Sequence, residues 1–279
     1  TGVQTCALPI CDIKREAAKI INEELMVDDS LFLYHDVCTN GIGYVDLMFK
    51  TDSIAPEQIP YLGLLKSVLG YVDTENYTYG ELFNEINANT GGINCGVEVF
   101  DRADSTEEFQ AMFSVRGKAL YTKMDFLFKM IGEILNSSKL EDTKRLYEIV
   151  ASVKSRAQVN LTGAGHSTAV LRAAAYSSPM AAFQDEMAGI GYYQFIEKLE
   201  KDFEQRKEET VEELCKLMKK ILRPENFMIS YTGERESLET VQKLAGAVKA
   251  GLGTEPVEKS EEKLTCTKKN EGFKTSGQV

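Results

Sequence analysis

The chain has 279 residues, 43% of them hydrophobic, and a formal net charge of −11 at pH 7. That size and composition can bury a substantial core and exclude a disordered tail. The acidic balance argues against a nucleic-acid partner, whose phosphates need clustered Lys and Arg, and no run of about 18 apolar residues exists to span a membrane as a helix.

In chain order, Thr1–Ile10 matches the in-frame translation of a sequencing adapter and is set aside from fold reasoning, with Cys11 beside that junction. Residues 11–26 are polar and helix-tolerant, with Lys14, Arg15, Glu16, Lys19, Glu23 and Glu24 around few apolar anchors, and read as the end of a linker. Leu31–Tyr34 and Ile42–Phe49 read as two strands joined through Thr39-Asn40-Gly41, whose Asn-Gly pair predicts a hairpin. Pro56 and Pro60 open a helix with Ile59, Leu62, Leu65 and Leu69 on one stripe. Thr78 and Glu81 form a capping box for a second helix that ends at Thr90-Gly91-Gly92.

Ile93–Phe100 and Phe109–Val115 then predict a further hairpin around the polar turn Asp101–Ser105. From Tyr121 the period becomes helical: Met124, Leu127, Phe128, Ile131 and Leu135 mark one amphipathic helix, and Leu146, Ile149, Val150, Val153 and Ala157 another, divided at Ser137-Ser138. Gly163–Ala175 is rich in small residues, a composition that lets two helices approach closely. Ser178-Pro179 opens a further helix, and after it the apolar positions Phe195, Ile196, Leu199 and Phe203, then Leu214, Leu217, Met218 and Ile221, mark a long, interrupted helical arm stopped by Arg223–Asn226. Phe227–Tyr231 alternates as a strand, Leu238–Val248 is a last helix, and residues 254–270 read as a solvated linker before a strand that begins within 271–279. Hairpins with helices in blocks predict an α+β fold: an antiparallel or mixed sheet of about five strands, with several long helices packed on one face.

The chemistry-bearing residues are sparse. Cys6, Cys11, Cys38, Cys95, Cys215 and Cys266 lack CxxC or CxxH spacing, so they suggest neither a zinc knuckle nor a redox pair and read as reduced thiols of an intracellular protein. Only His35 and His166 are present, and neither lies in HxxEH, the helical spacing that puts two imidazoles and a general base around a zinc. They read as strand-end and helix-packing residues rather than as a ligand set converged with Asp36. Gly165-His166-Ser167-Thr168-Ala169 approaches GxSxG but ends in Ala and follows no clear strand. Asp185-Glu186, Glu208-Glu209 and Glu212-Glu213 read as a wet helix face, and Tyr192-Tyr193 as packing beside an apolar stripe. No catalytic, cofactor-binding or metal-ligating residue is assigned.

Thr39–Tyr44, Pro60-Tyr61-Leu62, Gly70–Tyr77, Asn89–Ile93, Arg116–Leu120, Gly163–Ser167, Arg172–Ala175, Ser178-Pro179 and Thr232-Gly233 occur in this order across residues 27–279. Each is weak alone; together they resemble the presequence-protease branch of the insulinase-like (pitrilysin-type, inverted zincin) zinc metallopeptidases. The resemblance implies four homologous α+β domains in two halves that close around a peptide. Residues 27–253 would be the third domain, 254–270 a linker and 271–279 the first strand of a fourth.

The family's zinc-binding HxxEH lies in its first domain and its substrate-contacting Arg and Tyr in the fourth, so no site residue carries over. The implied function is a non-catalytic domain of a zinc endopeptidase that degrades unstructured oligopeptides in a closed chamber. Zinc would sit in the missing first domain. The partners would be the missing N-terminal half and unfolded oligopeptides, in a bacterial cytoplasm. The competing reading is a structural or peptide-binding subunit of a catalytically inactive homologue.

Overall fold

The computed structural model describes residue 19, residues 21–260, residue 262 and residues 264–273, with the side chains of residues 106 and 107 excluded. Its six-stranded sheet comprises β1 (Glu23–Val27), β2 (Ser30–Asp36), β3 (Ile42–Lys50), β4 (Ile93–Arg102), β5 (Ser105–Leu120) and β6 (Phe227–Gly233), in the order β1-β2-β6-β3-β5-β4. The sheet is mixed: β2 and β6 run parallel and all other neighbours antiparallel. The strand beyond the expected five is β1, which takes in Glu23–Met26, residues whose composition suggested a linker. It pairs with β2 through a two-residue turn at Asp28 and Asp29, whose φ values of 47° and 64° are those a tight hairpin turn requires. An Asp-Asp pair adopts this backbone without the Gly that usually announces it, which is why the sequence reading missed it.

The predicted β2–β3 hairpin does not form. Asn40 and Gly41 do turn the chain, with φ of 54° and 81°, but β6 lies between the two strands and hydrogen-bonds to both. The physical reason is apolar: Phe227, Ile229 and Tyr231 of β6 are buried, and the rings of Tyr231 and Phe227 meet rings of β2 and β3. Tyr231 stacks on Tyr34 with centroids 6.1 Å apart, and Phe227 meets Phe49 at 5.2 Å. Such aromatic pairs add about 0.5–1.5 kcal/mol each beyond their area.

A carboxylate then fixes the loop that straddles β6. Glu234 accepts the backbone N–H groups of Thr39 (3.1 Å), Asn40 (3.2 Å) and Gly41 (3.3 Å), and also the Tyr121 hydroxyl. That hydrogen bond from Tyr121, ahead of the backbone donors, pulls the Glu234 carboxyl down to about 2.

The β4–β5 hairpin forms as expected, with β5 running on to Leu120. The helices are α1 (Ile59–Val68), α2 (Tyr79–Asn89), α3 (Met124–Ser137), α4 (Thr143–Gly163), α5 (Gly165–Ala174), α6 (Pro179–Ala188), α7 (Ile190–Lys201), α8 (Phe203–Ile221) and α9 (Leu238–Ala250). The Thr78 capping box is present: its hydroxyl accepts the Glu81 N–H at 3.3 Å and Glu81 accepts the Thr78 N–H at 2.9 Å. The stripe Met124, Leu127, Phe128, Ile131 and Leu135 is buried within one core that also holds Phe32, Tyr34, Leu47, Phe113 and Val115 from one face of the sheet. Burial of each such side chain contributes about 1.5–3 kcal/mol.

Two expectations about helix surfaces are revised. Within Gly163–Ala175 only the C-terminal end brings helices close, where Ala174 and Ala175 pack on Ala181 and Ala182 of α6; nothing lies within 4 Å of a Cβ placed on Gly163, and Val170 is 68% exposed. A tighter approach occurs at Gly63 of α1, where an added Cβ would lie 2.6 Å from the Met187 carbonyl oxygen and 2.7 Å from the Tyr192 ring. Asp185, expected on a wet face, is 1% exposed. It pairs with Arg172 at 2.5 Å and accepts the N–H groups of Ile190 and Gly191 at the start of α7, so the charge is met from three directions. The α8 carboxylates do face water, with Glu209 on Arg206 and both Glu212 and Glu213 on Lys216.

The stretch after α9 carries neither helix nor strand in its described part, yet it is held. Arg223 donates to the Glu255 carbonyl at 2.6 Å, Ser260 N–H to Ser53 at 3.1 Å, and Arg172 grips Glu271 at 2.6 Å. Residues 271–273 form no strand, and 274–279 lie outside the described residues.

Gly63→Ala is expected to destabilise the fold by about 1–3 kcal/mol, whereas Gly163→Ala should change it by less than about 1 kcal/mol; urea unfolding of both variants checks the contrast. The Glu234 carboxyl lies below its ordinary 4.5, so its stabilisation is full above about 4.5 and fades as pH falls towards 2. The gap in unfolding midpoint between wild type and Glu234→Gln should therefore be constant above that range and narrow below it.

Candidate functional site: the open face of the sheet

Strand alternation sends Tyr44 and Asp46 of β3, Arg116 and Lys118 of β5, and Ser230 and Thr232 of β6 away from the core face. Register makes them neighbours: Asp46 lies opposite both Arg116 and Ser230, and Tyr44 opposite both Lys118 and Thr232. Arg116 donates through Nε to Asp46 at 2.7 Å and through Nη1 to Glu98 of β4 at 3.1 Å, tying three strands together. Burial pushes the Asp46 carboxyl above its usual range, against the pull of Arg116. Its Oδ1 is buried and has no hydrogen-bond partner among the described residues.

Beside this group the face is hollowed by about 330 Å³, between Tyr44, Asp46, Lys118, Thr232 and the Gly91-Gly92 turn. A second hollow of about 300 Å³ continues over Asn89, Lys118 and Leu120. Gly91 N–H donates to the Lys118 carbonyl at 2.7 Å, and the Lys118 side chain lies over the glycine, 2.6 Å from where a Cβ would be. Tyr44, 43% exposed, presents an aromatic face and Lys118 an ammonium to whatever enters. Such a surface can orient an extended polar chain.

The two histidines are set apart from it. His35 ends β2 with Nδ1 2.8 Å from the Ile21 carbonyl, while His166 lies exposed in the first turn of α5. Asp36 beside His35 turns to Arg235 at 3.4 Å. Among the described residues no three His, Cys, Asp or Glu side chains are grouped as a metal would need, so the residues here do not fit a zinc site. The GxSxG-like stretch falls in α5, not on a strand-to-helix elbow. Burial pushes the Cys95 thiol up to about 12, which makes it a poor nucleophile. Tyr192 is buried, while Tyr193 is half-buried and donates to Glu197 at 2.7 Å. Sequence reasoning missed Tyr44, Asp46, Glu98, Arg116 and Lys118; the available signal was polar residues alternating with buried ones in β3 and β5.

Known proteins share this arrangement of strands and helices. The family model for the domain associated with M16 peptidases of subfamily C matches residues 7–199. Protein HypA of Clostridium perfringens is 34% identical over 98% of this chain, which spans 28% of that protein's length. Presequence protease 1, chloroplastic/mitochondrial, of Arabidopsis thaliana is 26% identical over 85% of the chain, which spans 22% of its length. Two solved structures share the fold at low identity. A peptidase M16 inactive domain from Pseudomonas fluorescens has a TM-score of 0.56 at 14% identity, over 84% of this chain and 52% of that one. A conserved protein from Enterococcus faecalis V583 has a TM-score of 0.56 at 11% identity, over 81% and 52%. Among the described residues no helix is long and apolar enough to cross a membrane.

Because the Arg116 side chain is 52% exposed, water screens its pair with Asp46. A double-mutant cycle with Arg116→Met and Asp46→Asn should return a coupling below about 1 kcal/mol; several kcal/mol would mean the pair is sealed from solvent.

Proposed function

This chain belongs to the family of domains associated with M16 peptidases of subfamily C, and from that premise we propose that it is a non-catalytic domain of a zinc endopeptidase that degrades unstructured oligopeptides inside a closed chamber. In this reading residues 27–253 are the third of four homologous domains, and 254–270 lead on to the fourth. The catalytic metal belongs to the first domain, and this chain contributes wall.

The observation that carries the reading is the open face of the sheet. Tyr44, Arg116, Lys118 and Thr232 form a polar, hollowed surface backed by a continuous core. It can line a chamber and orient an extended peptide while the rigid sheet behind it keeps water and folded proteins out. The presequence proteases among the relatives support the peptide class. The partners are then the N-terminal half of the same enzyme and unfolded oligopeptides, with the cytoplasm as the compartment.

The pure 279-residue chain is expected to hydrolyse no peptide, with or without added zinc. In the whole protein, Tyr44→Ala and Lys118→Glu should each raise KM for an unfolded peptide by roughly threefold to tenfold, with kcat unchanged, as for loss of uniform binding. Hydrolysis by the pure chain that is abolished in His35→Ala or His166→Ala would overturn the reading. A whole protein that binds peptides and cleaves none would favour the inactive homologue.

A further inference from the structure

The two edges of the sheet are built differently. β1 is five residues long and carries Glu23 and Glu24, the short, charged design that discourages pairing with another chain. β4 is ten residues long, and its first half, Ile93–Val97, carries no charge. Among the described residues no backbone hydrogen bond is made along its outer edge. A strand of that length with unused N–H and C=O groups is a template for another strand.

A cleft of about 550 Å³ runs beside this edge, between β4, the end of α1 and the face of α2 that carries Phe83 and Ile86. Two cations, Lys66 from α1 and Arg156 from α4, line it together with one carboxylate, Glu98 of β4; Arg156 lies near the Tyr192 hydroxyl, and neither cation makes an ion pair or hydrogen bond among the described residues. Lys66 is partly buried, and burial lowers its pKa from the ordinary lysine value while Glu98 opposes that shift. Glu98 itself is engaged by Arg116 at 3.1 Å. In a chain of net charge −11, two cations facing one cleft whose single carboxylate is already held by Arg116 leave that cleft with a positive surplus.

We propose that the outer edge of β4 binds an extended peptide as an added strand, with an acidic side chain of that peptide seated between Lys66 and Arg156. Backbone pairing supplies affinity that tolerates varied sequence, and the two cations select for a carboxylate beside the paired segment. A second copy of this chain fits less well. Two-fold pairing through β4 would bring the same cations against each other around the symmetry axis. The proposal stands apart from the enclosure reading, since it needs neither a chamber nor cleavage.

The test uses the full chain and a fluorescein-labelled, end-capped Thr/Val peptide of about eight residues, the length of an ordinary strand, with two central Glu. Two controls carry Lys in place of Glu, or N-methyl groups on alternate amides. The Glu peptide should bind and slow amide exchange in Ile93–Glu98, and N-methylation should abolish binding. Lys66→Gln and Arg156→Gln, both outside the core, should each weaken binding by roughly threefold to tenfold. Equal affinity for the Lys peptide, protection away from β4, no binding at all, or a dimer through β4 in sedimentation would each overturn the proposal.

Discussion

The sheet is held by a strand that arrives late in the chain and takes the central place. β6 lies between β2 and β3, and its buried face carries Phe227, Ile229 and Tyr231. Tyr231 stacks on Tyr34, Phe227 packs on Phe49, and the Tyr34 hydroxyl donates to the Gly233 carbonyl at 3.1 Å. Without β6 the sheet is two separate pieces, β1–β2 and β3–β5–β4, with no backbone pairing between them. The Glu234 carboxylate, one residue past the strand, completes the arrangement by collecting the N–H groups of the loop that passes over it. Where β6 ends therefore decides where the β2–β3 loop sits, and with it the position of Tyr44 at the start of the open face.

Much of this was legible locally. Helical periodicity located α3 and α4, the Thr78–Glu81 pair located the start of α2, strand-like runs beside turn signals located β3, β4 and β5, and alternation located β6. What was illegible was pairing between distant segments. An Asn-Gly turn between two apolar runs signals a hairpin wherever nothing comes between them, and no local feature around Thr39-Asn40-Gly41 announces that Phe227–Gly233 will. The edge strand β1 was hidden for a different reason: its charges are those of an exposed edge, and its turn uses Asp28-Asp29 where a glycine would have been recognised. Asp185 was misassigned because composition cannot tell a solvated carboxylate from one that Arg172 and two backbone amides satisfy in the interior.

The candidate site was less legible than the fold, and the reason is physical. Catalytic motifs bring reacting groups together along a few residues, so spacing betrays them. A binding surface on a sheet draws Tyr44 and Asp46 from β3, Glu98 from β4, Arg116 and Lys118 from β5 and Thr232 from β6, and only the register makes them one group. Each was unremarked as a single residue in a strand. The family resemblance supplied the context that spacing lacked, through short stretches such as Asn89–Ile93 and Arg116–Leu120 that border the hollows of this face.

The central position of β6 also bears on how the polypeptide acquires its shape. Tyr34 and Gly233, bonded in the finished sheet, are 199 positions apart, so this contact closes a very long loop and forms late under any entropic ordering. In a nascent chain the edges of β2 and β3 that face β6 have no native partner until that strand emerges, and unpaired strands of this kind invite misassembly. Truncation anywhere before Phe227 would split the molecule through its middle instead of trimming its rim.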